Sequence, residues 1–165
     1  MRPHPRYPIA AVCVLLALGC SPDEGESSGD FDASAWVSDA VPTVATVTCD
    51  PGVVPDSAHV VFGPDTTYGV TAPVDVSGGA PYEVVLLGNK PDTEVHYDVV
   101  VEADGETLHS GDNTFTTGSV PTALPDVAVG AADPDLAAGG FFVTSLVAAP
   151  PSAVILDADG EYVWW

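Results

Sequence analysis

From Glu94 to Glu102 the chain alternates in polarity, with Val95, Tyr97, Val99 and Val101 on one side and Glu94, His96, Asp98 and Glu102 on the other. A period of two is that of a half-buried β-strand, with one face packed and the other wet. Asp104-Gly105 follows at once, the dipeptide that supplies positive φ in a two-residue turn, and Glu106 begins a return strand. A hairpin joining 94–103 to 106–117 is therefore expected. From about Val41 onward the rest of the chain repeats this grammar, with short β-branched and aromatic segments separated by Gly, Pro, Asp and Asn. Strands are expected near 43–49, 58–62, 67–72, 81–87, 94–103 and 107–117, the pattern of a sandwich or barrel. No segment carries helical periodicity of useful length, so the fold class is all-β.

The N-terminus reads differently. Arg2 and Arg6 precede an uncharged apolar run from Ile9 to Leu18, the arrangement of a signal peptide over residues 1–19. A bilayer-spanning helix needs about 20 apolar residues, so this run is too short for a permanent anchor. It closes on Leu16-Ala17-Leu18-Gly19-Cys20, which resembles the bacterial lipobox. That resemblance implies cleavage before Cys20, a diacylglycerol on its thiol and a membrane partner reached through that lipid. The alternative is an ordinary secretory signal in which Cys20 is incidental. Ser21 to Asp32, rich in Ser, Gly and acid, favours the anchor, because such a composition cannot fold alone and serves as a tether. The tether is expected over 20–40. Export to the outer membrane is the expected destination, from Ser21 rather than Asp after Cys20.

Loss of residues 1–19 removes two arginines and no acid, taking the formal charge from −21 to −23 with Lys90 facing 24 acids. That charge opposes binding to nucleic acid or to an anionic lipid surface. Cys13 leaves with the signal and Cys20 is acylated, so Cys49 remains alone. No disulfide and no paired-cysteine zinc site is then expected. At the end of an apolar strand, Cys49 reads as a small core residue rather than a reactive thiol.

Few residues suggest chemistry. Asp157-Ala158-Asp159-Gly160-Glu161 has the acid spacing that opens a calcium loop, but a full loop needs ligands across about 12 residues. A hairpin turn at Asp159-Gly160, between Ala153–Leu156 and Tyr162–Trp165, is the better reading. His59, His96 and His109 sit in different expected strands. His96 and Asp98 share a wet face that would permit a weak metal or proton site, with solvated side chains preferred. Gly78-Gly79 and Gly139-Gly140 lack the phosphate-cradling patterns. Catalytic, metal-binding and cofactor-binding residues are therefore not expected here.

Leu87, Pro91, Thr93, Val95, Tyr97, Val99, Val101 and Ala103 resemble the tyrosine-corner region of fibronectin type III domains, and Asn113-Thr114-Phe115-Thr116-Thr117-Gly118 is similar to their last strand. The resemblance implies an immunoglobulin-like sandwich over 41–118, with Tyr97 and Phe115 as structural residues. Residues 119–126 then form a Pro-bearing linker, and 127–165 hold two or three strand candidates at 126–129, 140–146 and 154–165. Fewer than about 50 residues rarely make a core unaided, so partner strands are expected beyond Trp165.

Pro151 to Trp165, with its Asp-x-Asp-Gly turn through Asp159 and Gly160 and its Val163-Trp164 strand, looks like the opening of the β-propeller in bacterial arylsulfotransferase-like proteins. The resemblance implies sulfuryl transfer between phenolic compounds through a covalent histidine, flanked by cationic groups. Those groups belong to the propeller, so a phenolic or aryl sulfate ligand is implied only for the full-length protein and no catalytic role passes to His59, His96 or His109. Three functions stay open: the front of such an enzyme, inactive alone; a stand-alone fibronectin-like surface lipoprotein acting as a binding or spacer module; and the accessory domain of a metallophosphoesterase.

Overall fold

The computed structural model describes residues 29–128, 140–147 and 151–165. The expected signal peptide, Cys20 and the first part of the expected tether lie outside them. The described residues form eleven strands and no helix, and consequently none of them forms a helix able to cross a membrane.

Strands β1 (Ala33–Val37), β2 (Ala45–Cys49) and β5 (Tyr82–Leu86) make one antiparallel sheet in the order β1-β2-β5. The facing sheet has the order β4-β3-β6-β7, from β4 (Val70–Val74), β3 (Ser57–Gly63), β6 (Glu94–Ala103) and β7 (Glu106–His109), with β8 (Asn113–Thr116) also paired to β6. Inward residues of both sheets fill one core: Val47, Val60, Phe62, Leu86, Val99 and Val101 are all buried. Each such side chain contributes about 1.5–3 kcal/mol on leaving water. Two sheets sharing that core form a β-sandwich.

β6 lies at its centre, and Val95, Tyr97, Val99 and Val101 are each at most 3% exposed. Ala103 pairs with Glu106, so the turn is the two residues Asp104 and Gly105, with φ of 54° and 81°. That is the expected hairpin. The outer face of β6 is less wet than its polarity suggests: Val100 lies between β3 and β7, and Asp98, paired with Val61 of β3 and contacted by His109 and Ser110 at the other edge, is buried as well.

Three boundaries differ from expectation. β1 occupies residues assigned to the tether and pairs with β2 from Ala33↔Cys49 to Val37↔Ala45. Asp30 secures its approach, donating its N–H to the His109 carbonyl at 2.6 Å and accepting the His109 N–H on Oδ2 at 3.0 Å. The strand expected at 107–117 is broken between β7 and β8, where Ser110 Oγ accepts the Val99 N–H at 2.9 Å in place of a ladder carbonyl and Gly111 takes φ of 79°. β4 starts at Val70 because Tyr68 and Gly69 both have positive φ.

The remaining strands, β9 (Phe142–Leu146), β10 (Ser152–Leu156) and β11 (Tyr162–Trp164), form a third antiparallel sheet in the order β11-β10-β9. The expected strand at 126–129 is absent over its described residues, 126–128. Val154, Leu156 and Tyr162 make a small core with Val120 and Leu124 of the linker. The sheet is joined to the sandwich at Thr43, whose buried hydroxyl donates to the Val163 carbonyl at 2.8 Å. Beside it, the Gly118 N–H donates to the Pro42 carbonyl at 2.8 Å.

Candidate functional site

The densest group of charged side chains lies where the third sheet meets the sandwich. Lys90 follows Leu86 and Leu87 out of β5 in a loop held from both sides. Buried Asn89 donates through Nδ2 to the Thr43 carbonyl at 2.9 Å and to the Leu86 carbonyl at 3.3 Å. Thr117 Oγ1 donates to the Lys90 carbonyl at 2.6 Å and accepts the Thr93 N–H at 2.9 Å. The Lys90 backbone is thus fixed before its side chain makes any contact.

Opposite it, the β10–β11 loop is folded around Asp157. Its Oδ1 accepts the N–H groups of Asp159 and Glu161 at 3.0 and 2.9 Å, while its carbonyl accepts the Gly160 N–H at 3.1 Å. Gly160 takes φ of 83°, a backbone region in which a Cβ is strained. The loop is a hairpin turn, as its sequence suggests, and its five residues turn all three carboxylates inward. Lys90 Nζ lies 3.2 Å from Asp157, 2.7 Å from Asp159 and 2.6 Å from Glu161. The bonds to Asp159 and then Glu161 hold the ammonium well above its ordinary range. Oxygens of the three acids lie within 4.8 Å of one another, the spacing of a cation cradle, and the cation they hold is the lysine. Chemically the arrangement is a clasp between two units. Its carboxylates are all engaged by the ammonium of Lys90.

The histidines pair with aspartates separately. His109 Nδ1 lies 2.7 Å from Asp98 Oδ2, and Ser110 donates to Asp98 Oδ1 at 3.2 Å. Serine, histidine and aspartate are together here, yet the carboxylate sits between the other two, whereas a hydrolytic triad needs the imidazole in the middle. Ser110 is also fully buried, out of reach of any substrate. His96 Nδ1 lies 2.9 Å from Asp112 Oδ2, and Tyr68 donates to Asp112 Oδ1 at 3.1 Å. Burial first, and that bond second, push the Tyr68 hydroxyl up to about 12. The shared His96–Asp98 site considered from the sequence does not form, because each residue takes a different partner.

Tyr97 and Phe115, singled out as structural, pack against each other in the core, with ring centroids 5.9 Å apart and planes tilted by 49°. Burial pushes the Tyr97 hydroxyl up to about 12. Asp159 and Gly160 sit in the clasp loop, and Cys49 is 5% exposed with its thiol raised by burial and then by Asp50. In the sequence Lys90 stands out only as the single base after Arg6; its three partners lie about 70 residues away, beyond any local pattern. Cys20 lies outside the described residues. No protein-family model, curated protein or solved structure matches the chain.

Proposed function

We propose that this chain is the N-terminal part of an arylsulfotransferase-like exported lipoprotein, in which a fibronectin type III-like sandwich carries and orients the first strands of a β-propeller. The observation that bears most of the weight is the third sheet. It is a three-stranded meander with an Asp-x-Asp-Gly loop, clasped to the sandwich by Lys90, and its first strand is left uncovered: Phe142 is 51% and Val143 77% exposed. A sheet with apolar residues open on both faces needs neighbours, and further blades would supply them. The sandwich order, with strands one, two and five facing the rest, supports the fibronectin-like part of the reading.

On this reading the chain of 165 residues does not transfer sulfuryl groups, since the histidine and the cationic groups required sit elsewhere in the propeller. The described histidines are committed to Asp98 and Asp112 or stand singly in β3, and Lys90 is committed to the clasp. The first test is sequence: reading the genomic DNA for several hundred codons past that of Trp165, in all frames, should find propeller repeats with Asp-Gly turns. Turnover of an aryl sulfate by the purified 165-residue protein would refute the proposal. The lipid anchor is tested by labelled fatty acid, whose incorporation should vanish in Cys20→Ala.

A second reading, a stand-alone binding or spacer module, is favoured by the sandwich having a closed core of its own. Unrelated sequence after a true stop would make it the working answer.

A further inference from the structure

The outer face of β6 holds a chain of contacts that the sulfuryl-transfer reading leaves unused. It starts at Gly63, the last residue of β3, where a Cβ would run into the Tyr68 carbonyl. Without that Cβ the loop from 64 to 69 folds back closely, and Tyr68 takes φ of 58°, a region costly for a bulky side chain. The turn brings the Tyr68 hydroxyl to Asp112, where it donates to Oδ1 at 3.1 Å. Asp112 Oδ2 in turn lies 2.9 Å from His96 Nδ1. An ionised carboxylate only accepts, so in the neutral imidazole Nδ1 carries the proton and Nε2 keeps a bare lone pair. His96 Nε2 lies 3.9 Å from Glu94 Oε1, on a side chain that is 66% exposed.

We propose that His96 Nε2 and Glu94 form a surface site for a divalent ion of the zinc type, oriented by Asp112 and Tyr68. A metal-ligating histidine characteristically gives its other ring N–H to a carboxylate, which fixes the tautomer and makes the ligand nitrogen more basic. Asp112 stands in that position, and Tyr68 fixes Asp112. Zinc lies about 2.0–2.2 Å from nitrogen and carboxylate oxygen, which puts tetrahedral ligand atoms about 3.3 Å apart. The gap of 3.9 Å therefore closes with a small turn of the exposed Glu94 side chain. Glu94 and His96 are two apart in β6, so both side chains leave the same face of the sheet. Asp65 lies close enough for its charge to act on His96, which adds negative potential at the ion. The nitrogen sets this group apart from an acidic cluster, because imidazole suits zinc whereas magnesium and calcium prefer oxygen. It also differs from the clasp, whose cation is Lys90; that is the sole lysine or arginine among the described residues, so no ammonium competes at Glu94. His109 has half of the pattern: Nδ1 meets Asp98, but among the described residues no second carboxylate pairs with the ring. Two protein ligands leave the other positions to water, so the ion is exchangeable. The proposal goes beyond the sulfuryl-transfer reading and does not depend on it.

NMR of the imidazole nitrogens in the full chain tests it, with Zn²⁺ as the probe and Mg²⁺ as the control. Zn²⁺ should move the His96 Nε2 resonance and leave those of His59 and His109 in place, and Mg²⁺ at the same concentration should move none of them. Asp112→Ala should weaken Zn²⁺ binding about 10–100-fold, the usual cost of losing an orienting partner, and Glu94→Gln by at least about tenfold. The Asp112 and Glu94 side chains are 39% and 66% exposed, so both variants keep the fold, which their amide spectra check. A His96 resonance unmoved at millimolar Zn²⁺ overturns the proposal. So does an equal response to Mg²⁺, which would be counterion condensation on an acidic surface, or a shift at His109 in place of His96. Zn²⁺ binding as tight in Asp112→Ala or in Glu94→Gln as in the parent overturns it too.

Discussion

Replacing Lys90 by Met keeps the length and apolar stem of the side chain and removes its charge. Three carboxylates then face one another with no cation between them. The Lys90 side chain is 45% exposed and those of Asp159 and Glu161, its two closest partners, are 73% and 46% exposed, so each of these two pairs is screened and worth well under about 1 kcal/mol; Asp157, at 13%, is less exposed but lies farther off at 3.2 Å. Together the loss should be about 1–2 kcal/mol. It should fall on the docking of the third sheet and spare the sandwich, whose core contains none of these residues. Hydrogen exchange separates the two: amide protection in β10 and β11 should drop about tenfold or somewhat more, while that in β6 stays unchanged. The pH dependence follows from the sign of the lysine shift. Its folded-state value is raised above the ordinary 10.5, so its contribution is complete below pH 10.5 and fades as pH rises through the folded value. Equal loss of protection in β6 and β10, or none in either, would refute the clasp.

Other outcomes follow from the same geometry. Tyr97→Ala removes the ring of a residue that is 2% exposed and packed against Phe115, and should cost about 3–5 kcal/mol in urea unfolding; a loss below about 1 kcal/mol would mean the core is not built around it. Asp65 is held below its ordinary value chiefly by the Thr67 hydroxyl and next by the Thr67 N–H. Its contribution to loop order is therefore present above pH 3.8 and lost as pH falls through the lowered value, and an NMR titration should show Asp65 moving back toward 3.8 in Thr67→Ala. Cys49 should resist a thiol reagent in native protein and react promptly in urea, as burial and a raised thiol require; fast native labelling would show that β2 opens.

The strands that depend on their own alternation were legible. β6 and its Asp104-Gly105 turn appear where the polarity pattern puts them, as do β2, β3 and β5 to within a few residues. β1 was hidden because Ala-Ser-Ala-Trp-Val follows an acidic stretch and is only half-buried; its partner across the sheet, rather than its composition, makes it a strand. Asp98 illustrates the converse error. Its charge marked it as solvent-facing, but a central strand is covered on both edges, and His109 and Ser110 supply the partners that make burial tolerable. The clasp was illegible for a different reason. An Asp-x-Asp-Gly-Glu run is read locally as a turn, and nothing local says that its carboxylates converge on one lysine from a distant loop.

The hydrogen bond from Thr43 to the Val163 carbonyl links residues 120 apart in sequence, and that separation bears on the order of assembly. Closing so long a loop in an unfolded chain is entropically costly. Once the sandwich has formed, Gly118 is already bonded to Pro42, next to Thr43, so only about 45 residues remain to be closed, which lowers the cost by about 0.9 kcal/mol. The sandwich can thus be complete while the third sheet is still unformed, and it then presents Thr43 and Lys90 at fixed positions to a segment that lacks a full core of its own. In a chain emerging N-terminus first, the earlier-made domain acts as the template on which the later strands are laid.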